Sequence, residues 1–191
     1  MKLSRIASAL LLSSVLAGAA FAQTPATPQP DPATLKPGLE VGFYMGMFRN
    51  VEDFADWTNG KGKPGAPIPQ INWKVGKGNV LDSGYDDGVG VRIEGFINLA
   101  TAGEYKFAFN SNDGFILLVG GTEVVRDGDV HADRMSDIGT INIATPGWYP
   151  IKVIYFERKN TSTLQMFWRP AGAAAEGSMP LVPPEVLMHV E

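Results

Sequence analysis

The sequence predicts an all-β protein, an antiparallel β-sandwich, and two regularities carry that prediction. Apolar side chains recur at every second position, which is the period of a strand with one buried face. Turn-forming residues interrupt these runs about every ten residues, a spacing typical of sandwiches. The alternating runs are Tyr105–Phe109, Tyr149–Tyr155 and Leu164–Trp168.

The chain begins with a predicted signal peptide over residues 1–22. Lys2 and Arg5 give it a basic start, an apolar run follows, and the Ala-Phe-Ala sequence at 20–22 fits the rule for cleavage after Ala22. The apolar run is shorter than the roughly 20 residues that cross a bilayer, and a polar residue follows it directly. We therefore expect an exported protein, secreted or periplasmic, that does not span a membrane.

Residues 23–38 form a predicted proline-rich linker. Prolines stand at positions 25, 28, 30, 32 and 37, and large apolar side chains are nearly absent. Such a segment has too little apolar surface to order itself, so it is interpreted as an extended tether.

Residues 39–191 are predicted to be one domain, because a chain of this length can bury a sizeable core. Phe115–Val119 is apolar on both faces, which indicates a strand buried on both sides. Gly120-Gly121 is predicted to be a two-residue hairpin turn. Asn50 and Asp53 have the spacing to cap a short helix. The alternation around Trp168 predicts that its ring lies in the core.

The composition excludes several classes of function. The formal net charge is −4 and becomes more negative without the basic leader, whereas nucleic-acid binding needs a basic patch. The chain has no cysteine, which excludes disulfides and thiol catalysis. For an exported acidic protein of this kind, calcium is the natural candidate for a stabilising ion.

Motifs then follow one another in a fixed order. They are an Arg-x-x-Gly strand at Arg92, a small-Gly-x-Tyr-x-Phe strand at Gly103, an Asp-Gly turn at Asp113, a glycine hairpin at Gly121 and a Pro-Gly to Tyr-Phe-Glu segment at 146–157. In this order and spacing the chain from residue 39 onward resembles the PA14 domain family.

The resemblance implies a β-sandwich whose usual role is carbohydrate binding, so the expected partner is a glycan or polysaccharide. In the fungal adhesin branch of that family, two adjacent aspartates joined by a cis peptide bind a calcium ion, which also ligates sugar hydroxyls. A side-chain oxygen and backbone carbonyls of a second loop complete the set. Carried over to this sequence, the expected ligands for Ca²⁺ are Asn112, Asp113, Glu157 and the carbonyls near Lys159 and Thr161.

Asn112 departs from the family pattern, because it offers one neutral oxygen in place of a carboxylate. Glu157 would restore the missing charge in a calcium and glycan site. The alternative is structural: Asn-Asp-Gly between two strands is ordinary hairpin chemistry, since these residues tolerate positive φ. Glu157 would then simply end a strand in water.

The acidic loop from Asp127 to Asp137 is the second candidate. With Arg158, it is expected to form the rim of the sugar pocket, through Asp127, Asp129, His131 and Arg134. The alternative is a solvated loop. It is not an EF-hand, because a histidine and an alanine hold its fifth and sixth positions. The adjacent acidic pair Asp86-Asp87 is interpreted as a turn.

The sequence favours binding over catalysis. It has no Gly-x-Ser-x-Gly motif, and its two histidines are not spaced for zinc. Two functions of different classes remain. One is a non-enzymatic, lectin-like domain, with calcium as a possible cofactor. The other is an envelope protein that docks to a protein partner without metal.

Overall fold

The computed structural model describes residues 24–55, 62–76 and 78–190. The predicted signal peptide of residues 1–22 lies outside them. Within the described residues, no helix is long and apolar enough to cross a bilayer. The strands, in chain order, are β1 (Leu35–Pro37), β2 (Glu40–Met45), β3 (Lys63–Pro64), β4 (Asn72–Gly76), β5 (Val89–Leu99), β6 (Gly103–Asn112), β7 (Phe115–Val119), β8 (Thr122–Asp127), β9 (Arg134–Met135), β10 (Gly139–Ile143), β11 (Gly147–Glu157), β12 (Ser162–Arg169) and β13 (Leu187–Val190). The helical elements are α1 (Val51–Ala55) and the 3₁₀ turns Pro32–Thr34, Val80–Asp82 and Pro184–Val186.

The strands form two antiparallel sheets. The first sheet has the order β1-β13-β5-β11-β7-β8, with β2 also paired to β5 and β3 paired to β2. The second sheet has the order β10-β6-β12-β4, with β9 paired to β6. The predicted all-β antiparallel sandwich is confirmed.

The core lies between the sheets, where the alternating side chains of both meet. Phe107 and Phe109 of β6 and Tyr155 of β11 have no exposed surface. The rings of Phe109 and Phe115 stack with centroids 4.2 Å apart, and these residues belong to different sheets. Trp168 is 8% exposed and joins the same core, as predicted.

The outer face of the first sheet carries a second apolar cluster. Ile116 of β7 packs there with Phe48, Val51, Ile154 and Phe156. Val51 is the first residue of α1, so the helix covers this part of the sheet. The prediction that β7 is buried on both faces is therefore confirmed.

Two local predictions are also confirmed. Gly120 and Gly121 join β7 to β8 with φ of 58° and 79°, the positive values that a two-residue hairpin turn needs. At the start of α1, Asn50 Oδ1 accepts from the Glu52 amide at 2.9 Å, and Asp53 Oδ2 accepts from the Asn50 amide at 3.3 Å.

The proline-rich stretch lies against the first sheet, which differs from the predicted tether. The Ala26 amide donates to the Trp148 carbonyl at 2.9 Å, and the Gln29 side chain bonds both the amide and the carbonyl of Trp148. Residues 35–37 then pair with β13. Backbone and amide hydrogen bonds order this segment, because it has few large apolar side chains to bury.

Two connections cross between the sheets at the same end of the sandwich. Residues 113–114 lead from β6 to β7, and residues 158–161 lead from β11 to β12. Since β6 pairs with β12 and β7 with β11, the two crossings are neighbours. The interpretation of Asn112–Gly114 as a hairpin turn is wrong, because β6 and β7 belong to different sheets.

Candidate functional site

The two sheet-crossing connections are joined by hydrogen bonds. The Asp113 amide donates to the Phe156 carbonyl at 3.2 Å, and the Phe156 amide donates to the Gly114 carbonyl at 3.0 Å. Asn112 Nδ2 donates to Thr161 Oγ1 at 2.6 Å. The structure thus brings Asn112 and Asp113 together with the end of β11 and the start of β12.

Asn112 and Asp113 are buried and are joined by a cis peptide bond. The hydroxyl of Tyr155, which is fully buried in β11, donates to the Asn112 carbonyl. This contact fixes the backbone on the side of the pair that faces the core.

Both oxygens of the Asp113 carboxylate accept backbone amides. Oδ1 accepts from His131 at 3.0 Å, and Oδ2 accepts from Arg158 at 2.8 Å. Burial raises the pKa of Asp113, and the two amide hydrogen bonds oppose that shift. The carboxylate therefore ties the β11–β12 connection to the loop that contains His131.

The Glu157 carboxyl is completely buried, and neither of its oxygens has a hydrogen-bond partner among the described residues. Burial raises the pKa of Glu157 to about 8, with further contributions from the nearby charges of Asp87 and Asp113. The Gly88 backbone dipole lowers the pKa by less, and its amide donates to the Arg158 carbonyl instead. A buried carboxyl with no donor is costly in the charged state unless a cation accompanies it.

The donor set around Glu157 fits a cation with oxygen ligands. Glu157 offers two oxygens without donors, and Asp113 and Asn112 add oxygens from the adjacent connection. Within the described ranges, however, no group of three or more His, Asp or Glu side chains is close enough to hold a metal. A calcium shell of about six to eight oxygens would therefore draw on backbone carbonyls, water or ligand hydroxyls as well.

The predicted carbonyl ligands lie in the turn that follows Glu157. Lys159 is exposed, and Thr161 is half-buried against Asn112. Asn160 between them has a φ of 81°, and its amide donates to Asp87 Oδ1 at 2.7 Å. These contacts order the turn; which of its carbonyls faces a ligand stays a prediction.

Asp87 is a residue of the candidate site that the sequence did not predict. It was interpreted as part of a turn, yet it holds Asn160 and lies near Glu157. The cause is the strand register, since Val89 at the start of β5 pairs with Glu157. The signal in the sequence was the adjacent acidic pair at 86–87, whose partner depends on this long-range pairing.

The acidic loop contributes to the site through part of its length. The His131 amide binds Asp113, and the His131 Nε2 lies 3.4 Å from Asp127 Oδ2. Arg134 donates two hydrogen bonds to the Asp127 carboxylate, from Nε at 2.8 Å and from Nη2 at 2.6 Å, and these bonds lower the pKa of Asp127. Asp127, His131 and Arg134 are therefore connected to Asp113 by a chain of contacts.

Two predicted rim residues have different roles. Asp129 accepts from Asn50 Nδ2 at 2.7 Å, so its side chain contacts the segment before α1 rather than Asp113. Arg158 binds Asp113 through its backbone amide, and its buried Nε has no hydrogen-bond partner among the described residues. Asp133, which was not predicted, accepts from Thr163 Oγ1 at 3.0 Å.

Three cavities of the fold lie away from Asp113 and Glu157. Two of about 260 and 380 Å³ meet at Glu40, Glu94 and His189, on the outer face of the first sheet. A third of about 400 Å³ includes Trp73 of β4. None of these three is lined by Asp113 or Glu157, and the candidate site is described by its oxygen donors and their burial.

Comparisons with known proteins agree with the fold. The PA14 domain family model matches residues 69–180. A search of curated proteins found no match. Among solved structures, the PA14 domain of the MpAFP antifreeze protein is 18% identical, with a TM-score of 0.68 over 84% of this chain and 95% of that one.

Two further structures with this fold are sugar-binding proteins. The PA14 sugar-binding domain from an RTX adhesin is 17% identical, with a TM-score of 0.62 over 80% of this chain and 98% of that one. The Epithelial Adhesin 9 A domain from Candida glabrata, in complex with Galβ1-3GlcNAc, is 13% identical, with a TM-score of 0.64 over 85% and 94%. Because the family model covers more than half of its length and its sandwich is similar to solved PA14 domains, the chain belongs to the PA14 domain family.

Proposed function

We propose that this protein is an exported, non-enzymatic PA14 domain that binds glycans through a calcium ion. The family membership and the similarity to adhesin domains that bind sugars support a carbohydrate ligand. The basic and apolar leader of residues 1–22 supports export.

One observation carries the proposal. The buried Glu157 carboxyl, which has no hydrogen-bond donor among the described residues, lies at the end of β11 beside the Asn112–Asp113 pair. A carboxyl in this environment is neutral or accompanied by a cation. The charge of Asp113 already adds to the pKa shift of Glu157, so a divalent cation relieves the unfavourable interaction at both groups.

Asn112, Asp113 and Glu157 would hold the ion, with carbonyl oxygens near Lys159 and Thr161. When bound, calcium supplies open coordination positions that the hydroxyls of a sugar can fill. Glu157 then supplies the second negative charge of the site, because Asn112 is neutral where the family has an aspartate. The same residues keep the ion at one end of the sandwich, where the two sheet-crossing connections meet.

The acidic loop would form the rim of the glycan-binding site. Asp127, His131 and Arg134 form one connected group, and the His131 amide ties that group to Asp113. Arg158 adds a cationic side chain whose charge lowers the pKa of Asp113. We propose that these side chains select among sugars by hydrogen bonding to hydroxyls beyond those that the ion ligates.

A glycan array probed with the mature protein in calcium and in EDTA tests the proposal. We expect retention of a defined set of glycans in calcium, loss in EDTA, and loss in Asp113→Ala. The matched control is Asp86→Ala, which removes an exposed carboxylate two residues before Gly88. Equal retention in EDTA would overturn the calcium part, and no retention in either buffer would overturn carbohydrate binding.

A pull-down from envelope extracts distinguishes glycan binding from the other candidate function, which is docking to a protein partner without metal. Protein partners that stay bound in EDTA and excess monosaccharide would support docking without metal. Partners that elute with either reagent would support lectin action.

A further inference from the structure

A groove at the side of the sandwich has the chemistry of a second ligand site. It has a volume of about 400 Å³ and lies where β4 of the second sheet approaches β2 of the first. Its lining includes the aromatic residues Trp73 and Phe43 and the polar residues Gln70, Asn72 and Asp82. We call it the Trp73 groove.

The Trp73 ring is held in one orientation. Its Nε1 donates to Ser162 Oγ at 3.1 Å, and the ring packs partly against the main core while keeping some exposed surface. Ser162 is the first residue of β12, so this bond ties the ring to the neighbouring strand. A fixed, half-exposed indole is a rigid apolar platform beside solvent.

The polar side chains are also held in place. Gln70 Nε2 donates to the Val182 carbonyl at 2.8 Å, and Asn72 Oδ1 accepts from Gln165 Nε2 at 2.8 Å. Asp82 stands at the rim with a φ of 60°, after Leu81 with a φ of 44°. Two successive non-glycine residues in the left-handed region are unusual, and such strained backbone is enriched at functional sites.

The lining favours a neutral ligand with many hydroxyl groups. Among the described residues that line the groove, none is lysine or arginine, which argues against an anion. The carboxylate of Asp82 accepts hydrogen bonds, and the amide of Gln70 both donates and accepts. An apolar platform with a few fixed polar groups is the usual make-up of a small-molecule site. A sugar ring has the matching surfaces, an apolar C–H face and a hydroxyl edge.

We propose that the Trp73 groove binds a neutral saccharide, with one ring stacked on Trp73 and a hydroxyl donating to Asp82. This site needs no ion, since its donors and acceptors are side chains that the fold already holds. It is distinct from the Asp113 site and would let the domain contact a glycan chain at two places.

The test follows the indole Nε1–H signal of Trp73 by NMR in the ¹⁵N-labelled mature protein, with EDTA present. Trp73→Phe assigns the signal. Lactose, maltose, cellobiose and chitobiose are added separately. We expect at least one of them to shift the Trp73 signal saturably, while the Trp148 and Trp168 signals stay in place.

Asp82→Asn is the informative variant, because asparagine tolerates positive φ and loses only the charge. Its affinity for that disaccharide should fall about fivefold, as expected when a charge-assisted hydrogen bond becomes a neutral one. Asp86→Asn, in the same loop, should leave the affinity unchanged.

Three results would overturn the inference: no disaccharide shifts the Trp73 signal, Asp82→Asn binds as well as the parent, or the shift appears only when calcium replaces EDTA. In the last case the proposed calcium-dependent function stands and the second site does not. A shift in EDTA from a protein that binds no calcium would support the groove and contradict the calcium proposal.

Discussion

The backbone amide of Arg158 donates a 2.8 Å hydrogen bond to Oδ2 of Asp113, and this contact links the two connections that cross between the sheets. Arg158 directly follows Glu157, so the carboxylate that accepts this bond is held next to a second, fully buried carboxyl. This bond acts together with those between Asp113, Gly114 and Phe156 to fix the positions of the two acidic groups.

Asp113→Ala should destabilise the protein even without calcium. The substitution leaves the amides of His131 and Arg158 without their acceptor, at a cost of about 2–4 kcal/mol in the free energy of unfolding. Urea denaturation in EDTA measures the change. The exposed Asp86→Ala variant should differ from the parent by less than about 0.5 kcal/mol. An Asp113→Ala protein as stable as the parent would contradict this role.

Without calcium, stability should fall as the pH rises from about 5 to 8. The pKa of Glu157 is raised to about 8 in the folded state, above its ordinary value of 4.5. Between these two values the folded state binds more protons than the unfolded state, so unfolding becomes easier with increasing pH. Thermal unfolding in EDTA across this range gives the measurement.

Glu157→Gln is the matched variant for the pH dependence. It keeps the shape of the side chain and cannot ionise, so its melting temperature should change less between pH 5 and 8 than that of the parent. It should also bind calcium more weakly, because it lacks the second negative charge. The same pH dependence in parent and variant would show that another group is responsible.

Calcium should bind more tightly as the pH rises over the same range, since binding to Glu157 requires loss of its proton. Isothermal titration calorimetry at pH 6 and pH 8 tests this. Proton release at pH 6, detected with buffers of different ionisation enthalpy, should diminish in Glu157→Gln. Binding that is independent of pH would exclude Glu157 as a ligand.

The strands were predictable from the sequence because their signal is local. The alternation of Tyr149, Ile151, Val153 and Tyr155 specifies which face is buried, whatever the neighbouring strand is. The turn at Asn112–Gly114 was not predictable in the same way. Hairpins and sheet-crossing connections use the same residues, and only the pairing of β6 with β12 distinguishes them.

Dependence on long-range strand pairing also explains why Asp113 and Glu157 were predicted from the sequence and Asp87 was not. Asp113 and Glu157 were predicted because they align with ligand positions in the motifs of the PA14 family. Asp87 could not be found that way, because its closeness to Glu157 results from the register of β5 with β11. The burial of Glu157 without a donor is likewise a property of the packed fold.

Asp87 should contribute to calcium affinity in two ways that variants can separate. Asp87→Asn keeps an acceptor for the Asn160 amide and removes the charge near Glu157, whereas Asp87→Ala removes both. We expect calcium affinity to fall several-fold in Asp87→Asn, because the negative charge near Glu157 is lost. It should fall further in Asp87→Ala, because the hydrogen bond that orders the turn at Asn160 is lost as well. Calorimetry with Asp86→Ala as control measures this. Unchanged affinity in both variants would limit Asp87 to a structural turn.

The Tyr155 hydroxyl should position the Asn112–Asp113 pair for calcium. Tyr155→Phe leaves the Asn112 carbonyl without its donor in the core, at a cost of about 1–3 kcal/mol. Tyr149 provides a matched control on the same strand, because its hydroxyl donates to the Thr145 carbonyl at 2.6 Å near the opposite end of β11. Tyr149→Phe should lose similar stability and keep its calcium affinity. Tyr155→Phe should lose both, and an equal effect of the two variants on calcium binding would show that Tyr155 acts only on stability.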